Sequence, residues 1–457
     1  MNEESECFLT PSIFSLPIAH RHVHVQGRAV LEDLFRVGTQ QKMISLLALG
    51  MAEAPWLAGA RAKYASLQGT TSNPSAAFLA AVAKSTSLDA AQKSYQALTL
   101  EGAASVWSAL DYHYDSSFVE GFSDEAYAEM LHDESRTPFF ERAIRERLAE
   151  SPPKTLAVLD IGTGPFAILS ILAAEAGARK VYALEVNPEA AKRARKAIAA
   201  AGWRDVIEVL DGFSTTLPAL PERVDVVVSE VVGSIASEEG LYATIQDAHA
   251  RFVKAPHRRD SWIPHRVETW AAPASYALHA ALGPPRYDWG AIEEPLRLGC
   301  HDETLLALAA PQRVEAISFA EGAPTPGPVD ATFEITDERL AVNEAAYFTS
   351  LISGGIAEPT ARRHAQLAAR GLSGLAMWPR LVLRGEGSGE DDIVVDSRGP
   401  GSRGASAGPG SSGWQTVLPL LDARPVVLKA GDLVRTTLCV ELPERLEDPV
   451  WYAIEFS

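Results

Sequence analysis

The chain changes its hydrophobic rhythm twice. In its first part, runs such as AVLEDLFRVGTQQKMISLLALGMAE and AAFLAAVAKS repeat apolar side chains at three- and four-residue steps, the spacing of one helix face. A helical N-terminal region is expected over 1–108, as a lid or a dimerisation element. From Tyr112 to about Val253, short apolar runs alternate with helical stretches, as they do where strands are buried on both faces of a parallel sheet. A unit over 109–265 is expected from this. After WIPHRVETW the pattern turns to alternating Val, Leu and Thr broken by Pro and Gly, closing on DLVRTTLCVEL and WYAIEFS. That predicts a β-rich unit over 266–457. Within it, the stretch near 385–413, ending in RGPGSRGASAGPGSSG, is too poor in apolar residues to pack and is expected to be a flexible loop.

Composition narrows the class of protein. A chain of 457 residues is too long for one ordinary domain, and an apolar fraction of 47% with 22% charged residues is that of a soluble globular protein. No apolar run reaches the length of a membrane span. The acidic opening MNEESE lacks the basic segment of a secretory signal, so a cytoplasmic protein is expected. Cys7, Cys300 and Cys439 are far apart and without CxxC spacing, which points to neither disulfides nor zinc. His20, His22 and His24 alternate as on any extended segment, and no metal site is expected there. The formal net charge of -18 disfavours nucleic acid and anionic membranes as partners and favours a cationic substrate.

Two motifs carry chemistry. In TLAVLDIGTGPFAILSILAAEAGARKVYALE a strand from Leu156 to Leu159 feeds Asp160, then Gly162, Thr163 and Gly164, then a helix beginning near Phe166. Glycines serve where the backbone must approach a ligand or take positive φ, and the helix N-terminus beyond them offers free N–H groups to an anion. The next strand ends in Glu185, placed to accept both hydroxyls of a ribose. An adenosine-type cofactor follows, although Gly162, Gly164 and Ala167 also satisfy the GxGxxA nicotinamide pattern. The second motif, SEVVGSIASEEG, follows RVDVVV and puts Glu230 and Glu239 in one glycine-containing loop at a strand's C-terminal edge. Paired carboxylates there stand where ligands usually bind, and they suit a cationic ligand held by charge-assisted hydrogen bonds.

Taken together, DYHYDSSF, EAYAEMLHDESRT, VLDIGTGPF, ALEVN and SEVVGSIASEEG resemble the catalytic core of the protein arginine N-methyltransferases, with AYAEMLHD and PHRVETWAA closest to the type III, monomethylating branch. The resemblance implies an α/β fold: a class I methyltransferase Rossmann-like parallel sheet followed by a β-barrel-like domain that carries a dimerisation arm. It implies S-adenosyl-L-methionine as cofactor, arginine as substrate and a homodimer. Position by position, it makes Glu230 and Glu239 the double-glutamate acids, with Glu238 an extra neighbour. Arg136 becomes the holder of the cofactor carboxylate, and Asp160, Gly162, Gly164 and Glu185 the cofactor loop and ribose acid. Gly212, Phe213 and Ser214 fall at the adenine edge, while Tyr112 and Tyr114 belong to an aromatic segment folding over cofactor and substrate. Met130, Asp133 and Trp414 line the substrate side. Two positions depart from the family: Phe166, after Pro165, stands near the third glycine, and Gly413 stands where a Thr-His-Trp loop has histidine, leaving Asp133 without its partner. The N-terminal extension and the altered loop are compatible with an enzyme acting on free L-arginine in natural-product biosynthesis, similar to the arginine methyltransferase of streptozotocin-type pathways. A peptide-directed enzyme and a non-catalytic cofactor-binding scaffold remain as alternatives. No proline-aromatic motif for a flipped base follows the fourth predicted strand, which disfavours a nucleic-acid methyltransferase.

Overall fold

A computed structural model describes residues 103–108, 136–282, 289–292, 294–389, 391–398, 414–442 and 450–457. The expected N-terminal helices lie outside these, as do Tyr112, Tyr114, Met130, Asp133 and Gly413. Where the expected helical region is described, it is strand: β1 (Ala103–Ser108) pairs antiparallel with the last strand of the chain, Val106 opposite Ala453. A sheet edge far along the sequence overrides the local pattern there.

Helix α1 (Thr137–Ala149) leads into a parallel sheet of β2 (Ala157–Ile161), β3 (Lys180–Glu185), β4 (Ile207–Asp211), β5 (Val226–Ser229) and β6 (Trp262–Ile263), in the order β4-β3-β2-β5-β6. Helices α2 (Ile168–Glu175), α3 (Pro188–Ala200) and α4 (Leu241–Asp247) lie between strands in sequence. Strands β2 and β5 are buried along their whole length, which is why AVLDI and VVVS are apolar but for one polar residue each, Asp160 and Ser229. Helix α3 starts at Pro188, capped by Asn187, whose side chain accepts from the N–H groups of Glu189 (2.9 Å) and Ala190 (3.1 Å). Helix α2 starts later than expected, at Ile168, because Ala167 takes a left-handed φ of 48°.

The strand order sets the position of the site. The chain runs outward from β2 through β3 to β4, then returns to place β5 on the other side of β2. Loops leaving the C-terminal ends of β2 and β5 therefore part in opposite directions, and the crevice between them is where open α/β sheets bind ligands.

The second unit is antiparallel. Strands β7 (Arg266–Tyr276), β8 (Leu296–Gly299), β9 (Leu305–Ala307) and β10 (Gln312–Ser318) join β13 (Gly374–Arg384), β14 (Ile393–Asp396) and β15 (Gln415–Leu418) in one sheet; α5 (Ala277–Ala281) follows β7. A four-stranded sheet takes β1, β11 (Val329–Glu334), β17 (Leu433–Glu441) and β18 (Trp451–Phe456), and β12 (Gly371–Leu372) pairs with β16 (Val426–Val427). Two helices, α6 (Asp337–Ser353) and α7 (Glu358–Ala368), interrupt the expected β-rich texture and bury Leu351, Ala361 and Ala365 in a satellite core with Leu278 and Trp378. The stretch expected to be a flexible loop near 385–413 is partly regular: β14 pairs with β13, Val394 opposite Val382. Its turn is fastened by Asp392, whose carboxylate accepts from the N–H groups of Gly387, Ser388 and Gly389 at 2.6 to 2.8 Å. Residues 399–413 lie outside the described set.

Candidate active site

The glycine loop forms one wall of the crevice. Gly162 and Gly164 have φ of 79° and 67°, which an L side chain resists, and a Cβ on Gly162 would press to 3.1 Å from Val231 Cγ1 of the opposite loop. Asp160 lies within β2, buried, its Oδ2 accepting from Thr163 (2.6 Å) and Ser170 (2.7 Å), so it ties the loop to the first turns of α2. Burial raises its carboxyl to about 6 against the pull of those hydroxyls, and its Oδ1 has no partner among the described residues. Glu185 ends β3 and faces the same loop: Oε2 accepts from the Gly164 N–H (2.8 Å) and Oε1 from the Asn187 N–H (2.9 Å). Burial pushes its carboxyl up as well.

Of the three residues placed at an adenine edge, the Gly212 N–H donates to the Glu185 carbonyl (2.9 Å) and Phe213 is 42% exposed. The Ser214 side chain donates to Asp247 (2.8 Å). Its hydroxyl is therefore engaged within the protein.

The acid loop forms the other wall. Arg136, just ahead of α1, donates to Glu230 Oε2 at 2.7 Å, and its guanidinium lies 5.4 Å from the ring centre of Trp414. Trp414 comes from the antiparallel unit, buried, with its indole N–H donating to the Val232 carbonyl (2.8 Å). Arg136, Glu230 and Trp414, far apart in sequence, thus meet. The adjacent acids separate. Glu238 is 1% exposed and takes two donors from Arg297, Nη2 to Oε1 at 2.5 Å and Nη1 to Oε2 at 3.4 Å, with the Ile235 N–H at 3.1 Å. Gly233 makes room for it, since a Cβ there would fall 2.5 Å from the Glu238 Cβ. Glu239 keeps part of its surface open, and its carboxylate has no hydrogen-bond or ion-pair partner among the described residues. Burial, then the charges of Glu230 and Glu238, raise it to about 8, while Arg136 and Arg297 pull the other way.

Residues that sequence patterning missed hold this loop to the antiparallel unit. Ser237 and Tyr452 share a hydrogen bond of 2.9 Å. The Ala236 N–H donates to Thr269, which donates to the half-buried Glu315, also bonded by Tyr242. Arg297 sits in LRLG, where a lone cation in an apolar strand was the available signal.

Comparison with known proteins agrees with this layout. Residues 158–253 match a methyltransferase domain family. The chain is similar to protein arginine N-methyltransferase 7 of Rattus norvegicus, 34% identical over 165 residues that make 33% of this chain and 23% of the rat protein. It is also similar to protein arginine N-methyltransferase PRMT10 of Arabidopsis thaliana, 34% over 145 residues, 32% of this chain and 36% of that one. The alignments thus span about a quarter to a third of the relatives' own length. Among solved structures, the Trypanosoma brucei PRMT1 enzyme-prozyme heterotetrameric complex with AdoHcy superposes with a TM-score of 0.52 at 18% identity, over 72% of this chain and 93% of that one. Arabidopsis thaliana protein arginine methyltransferase 10 does so with 0.51, also at 18%, over 72% and 92%. Residues 158–253 are thus similar to a methyltransferase domain. Its union with an antiparallel unit is the fold of the protein arginine methyltransferases.

Proposed function

We propose that the chain transfers a methyl group from S-adenosyl-L-methionine to a terminal guanidino nitrogen of arginine, once per arginine, with free L-arginine the favoured acceptor and peptide arginine the second reading. The observation that carries this is the meeting of a glycine loop and an acid loop at the strand-order reversal, Gly162 against Val231, with Glu185 on one wall and Glu230 and Glu239 on the other.

The residues fit the cofactor. Bare backbone at Gly162 and Gly164 gives a floor that a Cβ would fill, and Glu185 carries the lone pairs for two ribose hydroxyls. Exposed Phe213 offers a face for the base, and Arg136 a cation for the amino-acid end. Bound S-adenosylmethionine would supply an electrophilic methyl carbon. Everything else is positioning by this chain. Glu230, itself oriented by Arg136, and Glu239 hold the guanidinium so that one nitrogen lies in line with that carbon, and alignment of this kind recovers roughly 7 to 11 kcal/mol of a barrier. Guanidinium keeps its proton until transfer, because its pKa exceeds about 12. Glu239, with raised basicity and no partner among the described residues, would take the proton that the guanidino nitrogen gives up as the methyl group leaves sulfur, which keeps the bonding pair, for nitrogen.

Free arginine is favoured by the long extension before the core and by Gly413 in place of the family's histidine. A cytoplasmic homodimer in a natural-product pathway goes with it. Mass spectrometry after incubation with the cofactor and either L-arginine or an arginine- and glycine-rich peptide tests the reading. One added methyl on the free amino acid alone supports it; methylation of the peptide alone moves the assignment to protein substrates; no methylation of either overturns it.

A further inference from the structure

The acid loop carries two neighbouring glutamates and uses them differently. Glu238 is buried against Arg297 from β8, with its second oxygen also on the Ile235 N–H, while Glu239 keeps part of its surface exposed. A carboxylate with 1% exposure is costly unless paired, and Arg297, itself only 10% exposed, meets it through two nitrogens. This contact joins the antiparallel unit to the acid loop next to the residue that faces substrate. Resting on the function proposed above, we infer that Arg297 and Glu238 are a positioning pair for the acceptor side of the site. Drawing Glu238 out of the crevice fixes the direction in which Glu239 projects and sets the charge balance around it.

The charged groups acting on Glu239 are few. Glu230 and Glu238 lie in its own loop, Arg136 reaches it from the start of α1 and Arg297 from β8. Glu315 from β10 and Tyr452 from β18 interact in turn with Glu238. Removing the positive member of the pair leaves Glu238 uncompensated and raises the proton affinity of Glu239; removing the negative member lowers it. A pair that only held the fold together would still shift Glu239 by its charge but would leave kcat/KM for arginine as in the parent.

The test uses Arg297→Met, Arg297→Lys, Glu238→Gln and the double Arg297→Met/Glu238→Gln, each made with and without Glu239→Gln in the full chain. Two readouts are taken, melting temperature against pH and kcat/KM for arginine with cofactor affinity measured alongside. Glu239 has a folded-state pKa above its unfolded value, so its protonated form favours the fold. Its stabilisation is complete below about 4.5 and is lost as pH rises to about 8. The Glu239-dependent window should shift its upper end down by about one pH unit or more in Glu238→Gln and up by as much in Arg297→Met, with the double variant near the parent. In Arg297→Met kcat/KM should fall about 10²-fold at unchanged cofactor affinity, partly rescued in Arg297→Lys. Loss of melting temperature equal at every pH, with the window fixed in all variants, or kcat/KM for arginine in Arg297→Met as in the parent, would overturn the proposal. The melting readout stands even if the parent methylates no arginine, a result that would instead sink the proposed function.

Discussion

The two walls of the crevice are built in different ways. On the glycine-loop side, Asp160, Thr163, Gly164, Ser170 and Glu185 fasten one another within a few dozen residues of chain, all inside the parallel sheet unit. On the acid-loop side the contacts span the molecule: Arg136 to Glu230, Val232 to Trp414, Ser237 to Tyr452, Glu238 to Arg297. The first wall resembles a module that a methyltransferase domain carries by itself. The second draws on the antiparallel unit through Trp414, Tyr452 and Arg297, so under the proposed function acceptor recognition would need both units and cofactor recognition only one.

Substitutions that separate the walls sharpen this contrast. The largest effect is expected from Glu239→Gln, which should lower kcat/KM for arginine about 10³-fold in steady-state assays while cofactor affinity holds. In the parent enzyme, kcat/KM should rise as pH climbs through about 8, because the acceptor form of Glu239 is the ionised one, and Glu239→Gln should lose that limb. Glu185→Ala comes next and strikes the other wall: loss of charge-assisted hydrogen bonds to the ribose should weaken cofactor binding roughly 10- to 100-fold by titration calorimetry. Trp414→Leu removes the indole N–H and the face beneath Arg136, and should cost about 10-fold in kcat/KM for arginine with a smaller change in cofactor affinity. Asn187→Ala is the mildest: losing the cap of α3 should cost about 1 kcal/mol in denaturant unfolding and leave both substrates bound as before.

The same division decides what was legible in the sequence. The strand KVYALE, the glycine loop and Glu185 could be read because strands buried on both faces are continuous apolar runs and their loops follow at once. The paired acids were visible as residues, but not which neighbour turns inward, since the partner that takes Glu238 is nearly sixty positions away in β8. Asp160 reads as a cofactor contact by position; its Oδ2 is taken by Thr163 and Ser170, contacts that the spacing alone did not announce, while Oδ1 has no partner among the described residues. The β14 hairpin was hidden by glycine and serine composition, because one carboxylate, Asp392, supplies through three backbone hydrogen bonds the order that apolar content does not. Helices α6 and α7 escaped because alternating strands around them set the texture of that unit.

The most direct measurement is a paired one on Glu230→Gln, with methyl transfer to arginine followed by mass spectrometry and cofactor affinity by calorimetry on the same preparation. Transfer should fall about 10³-fold while the cofactor dissociation constant changes by less than about 10-fold. Full turnover in that variant, or loss of cofactor binding equal to the loss of transfer, would contradict a site divided into a cofactor wall and an acceptor wall.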